Sequence, residues 1–210
     1  MAGKIWILAE QWRGKLSDVS FELLALGREL ADGLGWSVEA VLLGHGIKGL
    51  AEKLGRADNV LCVDDPILAD PTPEPHCQAL ASLLAARRPA CLLMPLTTAG
   101  VDIAGLLPAM AKAPLITNCS DVRVTDRMLR AQCLLYGGKM VATVDASAEG
   151  TILGVQPGVR PADAGRSETK PPVEEVSLQL VPPRIKFRTY VEPEAGDVDI
   201  TQQDVLIAVG

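Results

Sequence analysis

Strands and helices alternate four times in the first 112 residues, and this order constrains the fold more than any other feature. Apolar runs predict strands over residues 4–9, 37–43, 59–63 and 90–96. Helices are predicted after them, over residues 18–34, 47–54, 75–88 and 101–112. Short links between such elements favour a parallel sheet with right-handed crossovers. The predicted class is therefore α/β, with a parallel sheet between two layers of helices.

The first helix shows the periodicity most clearly. Leu23, Leu26, Leu30 and Leu34 fall on one face, Ser17 is the predicted N-cap, and Gly35 follows the last turn. The fourth strand, residues 90–96, is apolar throughout, which indicates a central strand covered on both faces.

The pattern changes after Pro114. Four strand-like stretches follow with only turns between them, at residues 115–124, 128–135, 141–145 and 151–155. They predict antiparallel strands appended to the parallel sheet in the carboxyl-terminal half. Tyr136-Gly137-Gly138 predicts a tight hairpin turn. Residues 157–172 read as a loop, and residues 176–181 and 184–190 again carry strand signals.

The last residues, 204–210, read as a buried strand that runs into a glycine. Such a strand pairs back onto an earlier sheet or opens a further domain. An acidic, Pro/Gly-containing stretch at residues 192–199 favours the second interpretation. We therefore expect one α/β domain over residues 1–192, and a linker with the first strand of a truncated domain over residues 193–210.

Charge and composition exclude several classes of partner. The net charge of −6 opposes binding to a phosphate backbone, and an aromatic content of 3% offers no platform for stacking bases. No apolar run reaches the length of about 20 residues that a membrane helix needs. The start has no signal-peptide pattern. Five cysteines at scattered positions predict reduced thiols in a cytoplasmic protein and no zinc site.

A phosphate site is the sharpest candidate that the residues offer. Thr97, Thr98 and Gly100 follow the fourth strand and open a helix, where free N–H groups attract anions. The alternative, which we prefer, is that a threonine is the N-cap and that Asp102 makes the first turn acidic and repels phosphate.

The remaining polar candidates have simpler interpretations. Asp64 and Asp65 end the third strand, and a solvated turn is favoured over a divalent-cation site. His45, between two glycines, reads as a surface histidine rather than an acid–base group, and His76 as exposed in the first turn of a helix.

Basic residues form two clusters. They are Arg87 with Arg88, and Arg184, Lys186 and Arg188. The second set alternates along a predicted strand, so it would form either a partner surface or a protected sheet edge.

Several segments, in order along the whole chain, resemble the α subunit of electron transfer flavoproteins, including relatives tied to nitrogen fixation and carnitine metabolism. They comprise residues 5–10, 14–16, 20–24, 94–102, 136–143, 151–158 and 199–210. The resemblance implies a fold like that of the adenine-nucleotide α-hydrolases. It also implies a heterodimer with a β subunit that carries electrons from dehydrogenases to a quinone reductase or another acceptor.

The resemblance further implies that this chain is a non-catalytic assembly domain. In the full-length protein, FAD would be held by the family's carboxyl-terminal domain, and residues 204–210 resemble the first strand of that domain. No cofactor is expected within this chain. An exposed partner surface would make self-association of the chain plausible.

Two other functions stay open. A stand-alone nucleotide-binding module of the universal stress protein type would use Thr97, Thr98 and Gly100, but it should carry a glycine-rich loop, and only Gly100 and Gly105 are present. An enzyme of the α-hydrolase type would need a Ser/Gly phosphate-binding motif after the first strand, which residues 10–14 do not supply.

Overall fold

The computed structural model describes residues 3–146, 150–191 and 205–209. The strands are β1 (Lys4–Ala9), β2 (Gln11–Trp12), β3 (Lys15–Leu16), β4 (Ser37–Gly44), β5 (Asn59–Asp64), β6 (Cys91–Pro95), β7 (Leu115–Thr125), β8 (Met128–Leu135), β9 (Met140–Ala146), β10 (Thr151–Val155) and β11 (Val173–Glu175). The α-helices are α1 (Asp18–Leu34), α2 (Lys48–Ala51), α3 (Pro73–Arg87) and α4 (Thr98–Ala111), and short 3₁₀ helices occupy Pro66–Leu68 and Ala162–Gly165.

One nine-stranded sheet organises these elements. Its order is β11-β5-β4-β1-β6-β10-β7-β8-β9, and β2 and β3 form a separate two-stranded hairpin. All pairs from β11 to β7 are parallel, whereas β8 and β9 are antiparallel to their neighbours. The predicted α/β class, a parallel sheet with added antiparallel strands, is confirmed.

Both faces of the sheet are covered, and β1 shows how the sequence achieves this. Ile5 and Ile7 join the core on the α1 face, and Trp6 and Leu8 join the core under α3 and α4. Successive side chains of a strand point to opposite faces, so an uninterrupted apolar run can supply both cores. The first helix begins and ends as predicted, and its leucines lie in the core.

The position of β10 corrects the sequence-based prediction. Residues 151–155 were expected to be antiparallel, but β10 lies between β6 and β7 and is parallel to both. All five of its residues are buried. Ile152, Leu153 and Val155 supply apolar side chains to both faces, a pattern that is typical of a central parallel strand.

The segment after β11 also differs from its prediction. Residues 176–181 and 184–190 form no strand and cross α3 instead. There the Val181 N–H donates to Gln78 Oε1 at 2.9 Å, and Arg184 pairs with Glu74 at 2.8 Å. Arg184, Lys186 and Arg188 therefore do not form one face of a strand. Residues 11–15, whose polar sequence with Gly14 predicts a loop, instead belong to the β2–β3 hairpin.

Residues 205–209, the described part of the predicted terminal strand, form no strand and are exposed. The acidic stretch at residues 192–199 lies outside the described residues, so the division at residue 192 stays a prediction. Within the described ranges, no helix is both long enough and apolar enough to cross a membrane.

Candidate functional site

A cavity of about 620 Å³ opens at the carboxyl ends of β1 and β6. The chain passes from β1 to β4 on one side of β1, and later returns to β6 on its other side. The strand order therefore reverses between β1 and β6. Open α/β sheets bind their ligands in the crevice at such a reversal, so the topology marks this cavity as the candidate small-molecule site.

Glu10 enters the cavity directly after β1, and Ser20 of α1 fixes its backbone. The Glu10 N–H donates to Ser20 Oγ at 2.8 Å, and the same hydroxyl donates to the Glu10 carbonyl oxygen at 2.8 Å. The Ser17 N–H donates to that carbonyl as well, at 3.0 Å. Ser20 is fully buried, so the position of Glu10 is set by the folded core.

The Glu10 side chain reaches the N-terminus of α4. Its carboxylate accepts a hydrogen bond from the Thr97 hydroxyl, which in turn accepts one from the Gly100 N–H at 3.1 Å. Gly100 has no room for a side chain, because a Cβ would lie 1.8 Å from the Pro95 carbonyl oxygen. The predicted N-cap role is confirmed for Thr97.

The structure brings all three predicted phosphate-site residues to this one cavity. Thr97, Thr98 and Gly100 line it together with Asp102, which lies beyond the first turn of α4 rather than within it. The acidic group closest to the helix N-terminus is therefore Glu10, which the sequence did not single out. The alternation of strands and helices could have placed it there, because Glu10 directly follows β1, the strand beside β6.

Thr72 and His76 contribute a second polar wall. Thr72 is the N-cap residue of α3, yet its hydroxyl makes no capping bond; it is buried and has no hydrogen-bond partner among the described residues. The Nδ1 of His76 lies 2.9 Å from the Thr72 carbonyl oxygen, so Nδ1 donates and Nε2 of the neutral ring is an acceptor. Burial lowers the pKa of His76. The prediction that His76 is exposed is wrong, because α3 packs it against the cavity.

Aromatic residues from distant parts of the chain meet at the same cavity. Trp12 of β2 and Tyr190 both line it, with ring centroids 5.0 Å apart. The guanidinium of Arg13 lies 4.2 Å from the Tyr190 ring centroid, within range of a cation–π interaction. No local pattern predicts this cluster, because Tyr190 lies far along the chain from Trp12 and Arg13.

The other histidine and the paired aspartates have structural roles. Asp64 accepts backbone hydrogen bonds from Gly46 at 2.8 Å and Ile47 at 3.1 Å, and Asp65 accepts one from Ile67 at 2.8 Å. Burial opposes ionisation of Asp64, but these backbone bonds and His45 outweigh it and lower the pKa. In the described part of the chain no group of metal-ligating side chains is assembled.

A second feature lies at the far edge of the sheet. The β8–β9 hairpin exposes Tyr136, Met140 and Val141, whose exposed fractions are 76%, 57% and 60%. Tyr136, Gly137 and Gly138 all have positive φ, which confirms the predicted tight turn. Because β9 is the last strand in the sheet, its outer edge offers backbone groups beside an apolar surface.

All five cysteines are buried and unpaired, as predicted. Burial raises the pKa of Cys62 to about 11 and those of Cys77 and Cys91 to about 12. These thiols behave as small apolar side chains rather than nucleophiles.

Comparison with known proteins adds independent information. Residues 5–181 match the electron transfer flavoprotein domain. The chain is 33% identical over 217 residues to the electron transfer flavoprotein subunit alpha of Clostridium acetobutylicum, covering 98% of this chain and 64% of that protein. It is 32% identical to Protein FixB of Clostridium saccharobutylicum, covering 98% of this chain and 63% of that protein.

A third relative matches a shorter segment. The acryloyl-CoA reductase electron transfer subunit beta of Anaerotignum propionicum is 32% identical over 122 residues, which cover 57% of this chain and 33% of that protein. The chain thus spans less than two thirds of the length of these relatives.

Proposed function

Because the chain belongs to the electron transfer flavoprotein family, we propose that it serves as the amino-terminal assembly domain of an electron transfer flavoprotein α subunit. The parent protein would pair with a β subunit and carry electrons from dehydrogenases to a quinone reductase or another acceptor. The chain itself would provide a scaffold and no catalytic group. The observation that carries this proposal is the domain match over residues 5–181.

The surface of the β8–β9 hairpin is the proposed contact with the β subunit. Tyr136, Met140 and Val141 are large apolar side chains exposed beside an open strand edge. Tyrosine and methionine are enriched in the centres of interfaces, where they add contact area when water is excluded. Without the partner, the same surface would favour self-association of the chain.

The cavity at the carboxyl ends of β1 and β6 offers a poor place for the pyrophosphate of FAD. A flavin dinucleotide needs donors for its pyrophosphate, usually a helix N-terminus. In the large cavity, the Glu10 carboxylate already accepts a hydrogen bond at the N-terminus of α4. We therefore propose that the FAD of the parent protein is bound by sequence outside this chain. The shorter length of the chain relative to its relatives supports this proposal.

The docking surface is tested by co-expression of the chain with its cognate β subunit. We expect Tyr136→Ser combined with Val141→Ser to weaken the complex by at least about tenfold, since apolar anchors dominate interface energies. Val101→Ser is the matched control, because Val101 is 55% exposed but lies on α4. The proposal would be contradicted if Val101→Ser weakened the complex as much as the double substitution, or if the unaltered chain formed no complex with the β subunit.

Two further measurements address the cofactor and the compartment. The purified chain should show no flavin absorbance near 450 nm, and stoichiometric flavin would contradict the assignment. We also propose a cytoplasmic location. It is supported by five unpaired thiols, which are typical of a reducing compartment. Fractionation of cells that express the parent protein would test it.

A further inference from the structure

We propose that the cavity at the carboxyl ends of β1 and β6 binds a small organic molecule of the nucleoside or amino-heterocycle class that carries no phosphate. This inference is independent of the proposed function, because the β8–β9 hairpin lies at the far edge of the sheet. It depends on four observations: the occupied helix N-terminus, the charge of the lining, an unsatisfied hydroxyl and the size of the cavity.

The N-terminus of α4, the place where an anion would bind, is already occupied by this chain's own carboxylate. Glu10 accepts the hydrogen bond of the Thr97 hydroxyl, and Thr97 accepts that of the Gly100 N–H. Ser20 holds the backbone of Glu10 through two hydrogen bonds, so the carboxylate starts from a fixed point beside the helix N-terminus and is held there by the Thr97 hydroxyl. A phosphate in this position would meet a fixed negative charge.

The rest of the lining adds to this negative charge. The carboxylates of Glu10, Asp70 and Asp102 line the cavity, against one guanidinium, that of Arg13. The Arg13 guanidinium lies over the ring of Tyr190. The lining therefore favours ligands that are neutral or positively charged.

Thr72 provides the observation that points to a ligand. Only 8% of this residue is exposed, it lines the cavity, and its hydroxyl has no hydrogen-bond partner among the described residues. Buried hydroxyls are normally paired, because an unpaired one is unfavourable. Beside it, His76 presents Nε2 as an acceptor. A ligand N–H or O–H group would bond to Nε2 of His76, and a rotation of the Thr72 side chain about χ1 would bring its enclosed hydroxyl to the same ligand.

The size and the apolar part of the lining define the body of the ligand. A volume of about 620 Å³ lies within the usual range for small-molecule sites. Leu8, Leu68 and Ile103 line it, and the rings of Trp12 and Tyr190 stand at the same cavity. Apolar walls with a few acceptors suit a planar heterocycle that carries amino or hydroxyl groups.

Adenosine and adenosine 5′-monophosphate are the probes, because they differ only in the phosphate. Titration calorimetry on the whole chain at pH 7.5 should show saturable binding of adenosine, and binding of the monophosphate at least tenfold weaker. Thr72→Val should weaken adenosine binding about five- to tenfold, the effect of one hydrogen bond. Thr117→Val, a change on the exposed surface of β7, should leave the affinity unchanged. Glu10→Gln removes the negative charge beside α4, so it should reduce the difference in affinity between adenosine and the monophosphate.

Three results of these titrations would overturn the proposal. Absence of saturable adenosine binding, equal affinity for the monophosphate, or an unchanged affinity in Thr72→Val would each overturn the proposal. If Glu10→Gln fails to fold, amide chemical shifts of the unaltered chain replace it. Adenosine should then shift the signals of Thr72 and His76, and perturbations confined to other residues would overturn the proposal. Neither result bears on assembly with a β subunit.

Discussion

Thr72 and Thr97 occupy the N-cap positions of α3 and α4 at the same cavity, yet replacing each with valine should have opposite effects on stability. Thr97 accepts a hydrogen bond from the Gly100 N–H and donates one to Glu10. The hydroxyl of Thr72 makes no hydrogen bond and is buried. Valine has nearly the same shape as threonine, so the comparison isolates the hydroxyl group.

The expected magnitudes follow from these bonds. Loss of an N-cap side chain costs about 1–2 kcal/mol, and Glu10 loses a donor as well, so Thr97→Val should lower the free energy of unfolding by roughly 2 kcal/mol. Thr72→Val removes an unsatisfied hydroxyl and should raise it by about 1 kcal/mol. At roughly 2–4 °C per kcal/mol for a chain of this size, Tm should fall by about 4–8 °C in the first variant and rise by about 2–4 °C in the second.

Differential scanning calorimetry of the three proteins without ligand is the assay, with urea unfolding as an independent measure of free energy. A fall in Tm for Thr72→Val comparable to that for Thr97→Val would show that the Thr72 hydroxyl has a structural partner. That result would refute the reasoning that assigns Thr72 to a ligand.

Three further predictions concern the same core. Burial lowers the pKa of His76 in the folded protein, so as pH falls the histidine of the unfolded chain is protonated first. The free energy of unfolding should therefore decline as pH falls below about 6.5. Calorimetric scans should show a weaker dependence of Tm on pH for His76→Gln. Ser20→Ala should lower the free energy of unfolding by about 1–3 kcal/mol, since it leaves the Glu10 N–H without its partner, whereas Ser17→Ala should change it little because that hydroxyl makes no capping bond. The five buried thiols should react with a disulfide reagent only after denaturation, and rapid labelling of the folded protein would contradict their burial.

The amino-terminal half could be predicted from the sequence because its signals are local. Leu23, Leu26 and Leu30 recur at helical spacing, and Gly35 follows the last turn, so α1 was predicted with its observed bounds. The carboxyl-terminal half depended on pairing between distant segments. The apolar run at β10 indicates burial but does not specify its neighbours, which is why its place between β6 and β7 was missed.

The site was predicted only in part, for the same reason. Thr97 and Gly100 follow an apolar strand, so their place at its carboxyl end was expected. Glu10 directly follows the first apolar strand, so the same reasoning could have located it. Thr72 reaches the cavity through tertiary packing, and no pattern near it in sequence indicates this. The strand predicted over residues 184–190 is wrong, because this segment does not pair with a strand. The Arg184 guanidinium and backbone N–H bind the Glu74 carboxylate on α3 instead.

The late position of β10 in the chain affects how the sheet is completed during synthesis. Until residues 151–155 leave the ribosome, β6 and β7 have no strand between them, and each has an unpaired edge. The nascent chain would then hold two separate partial sheets, β5-β4-β1-β6 and β7-β8-β9, with open hydrogen-bonding edges that invite pairing with other chains. One five-residue strand joins them, so the yield of native protein in the cell would depend on how quickly it inserts.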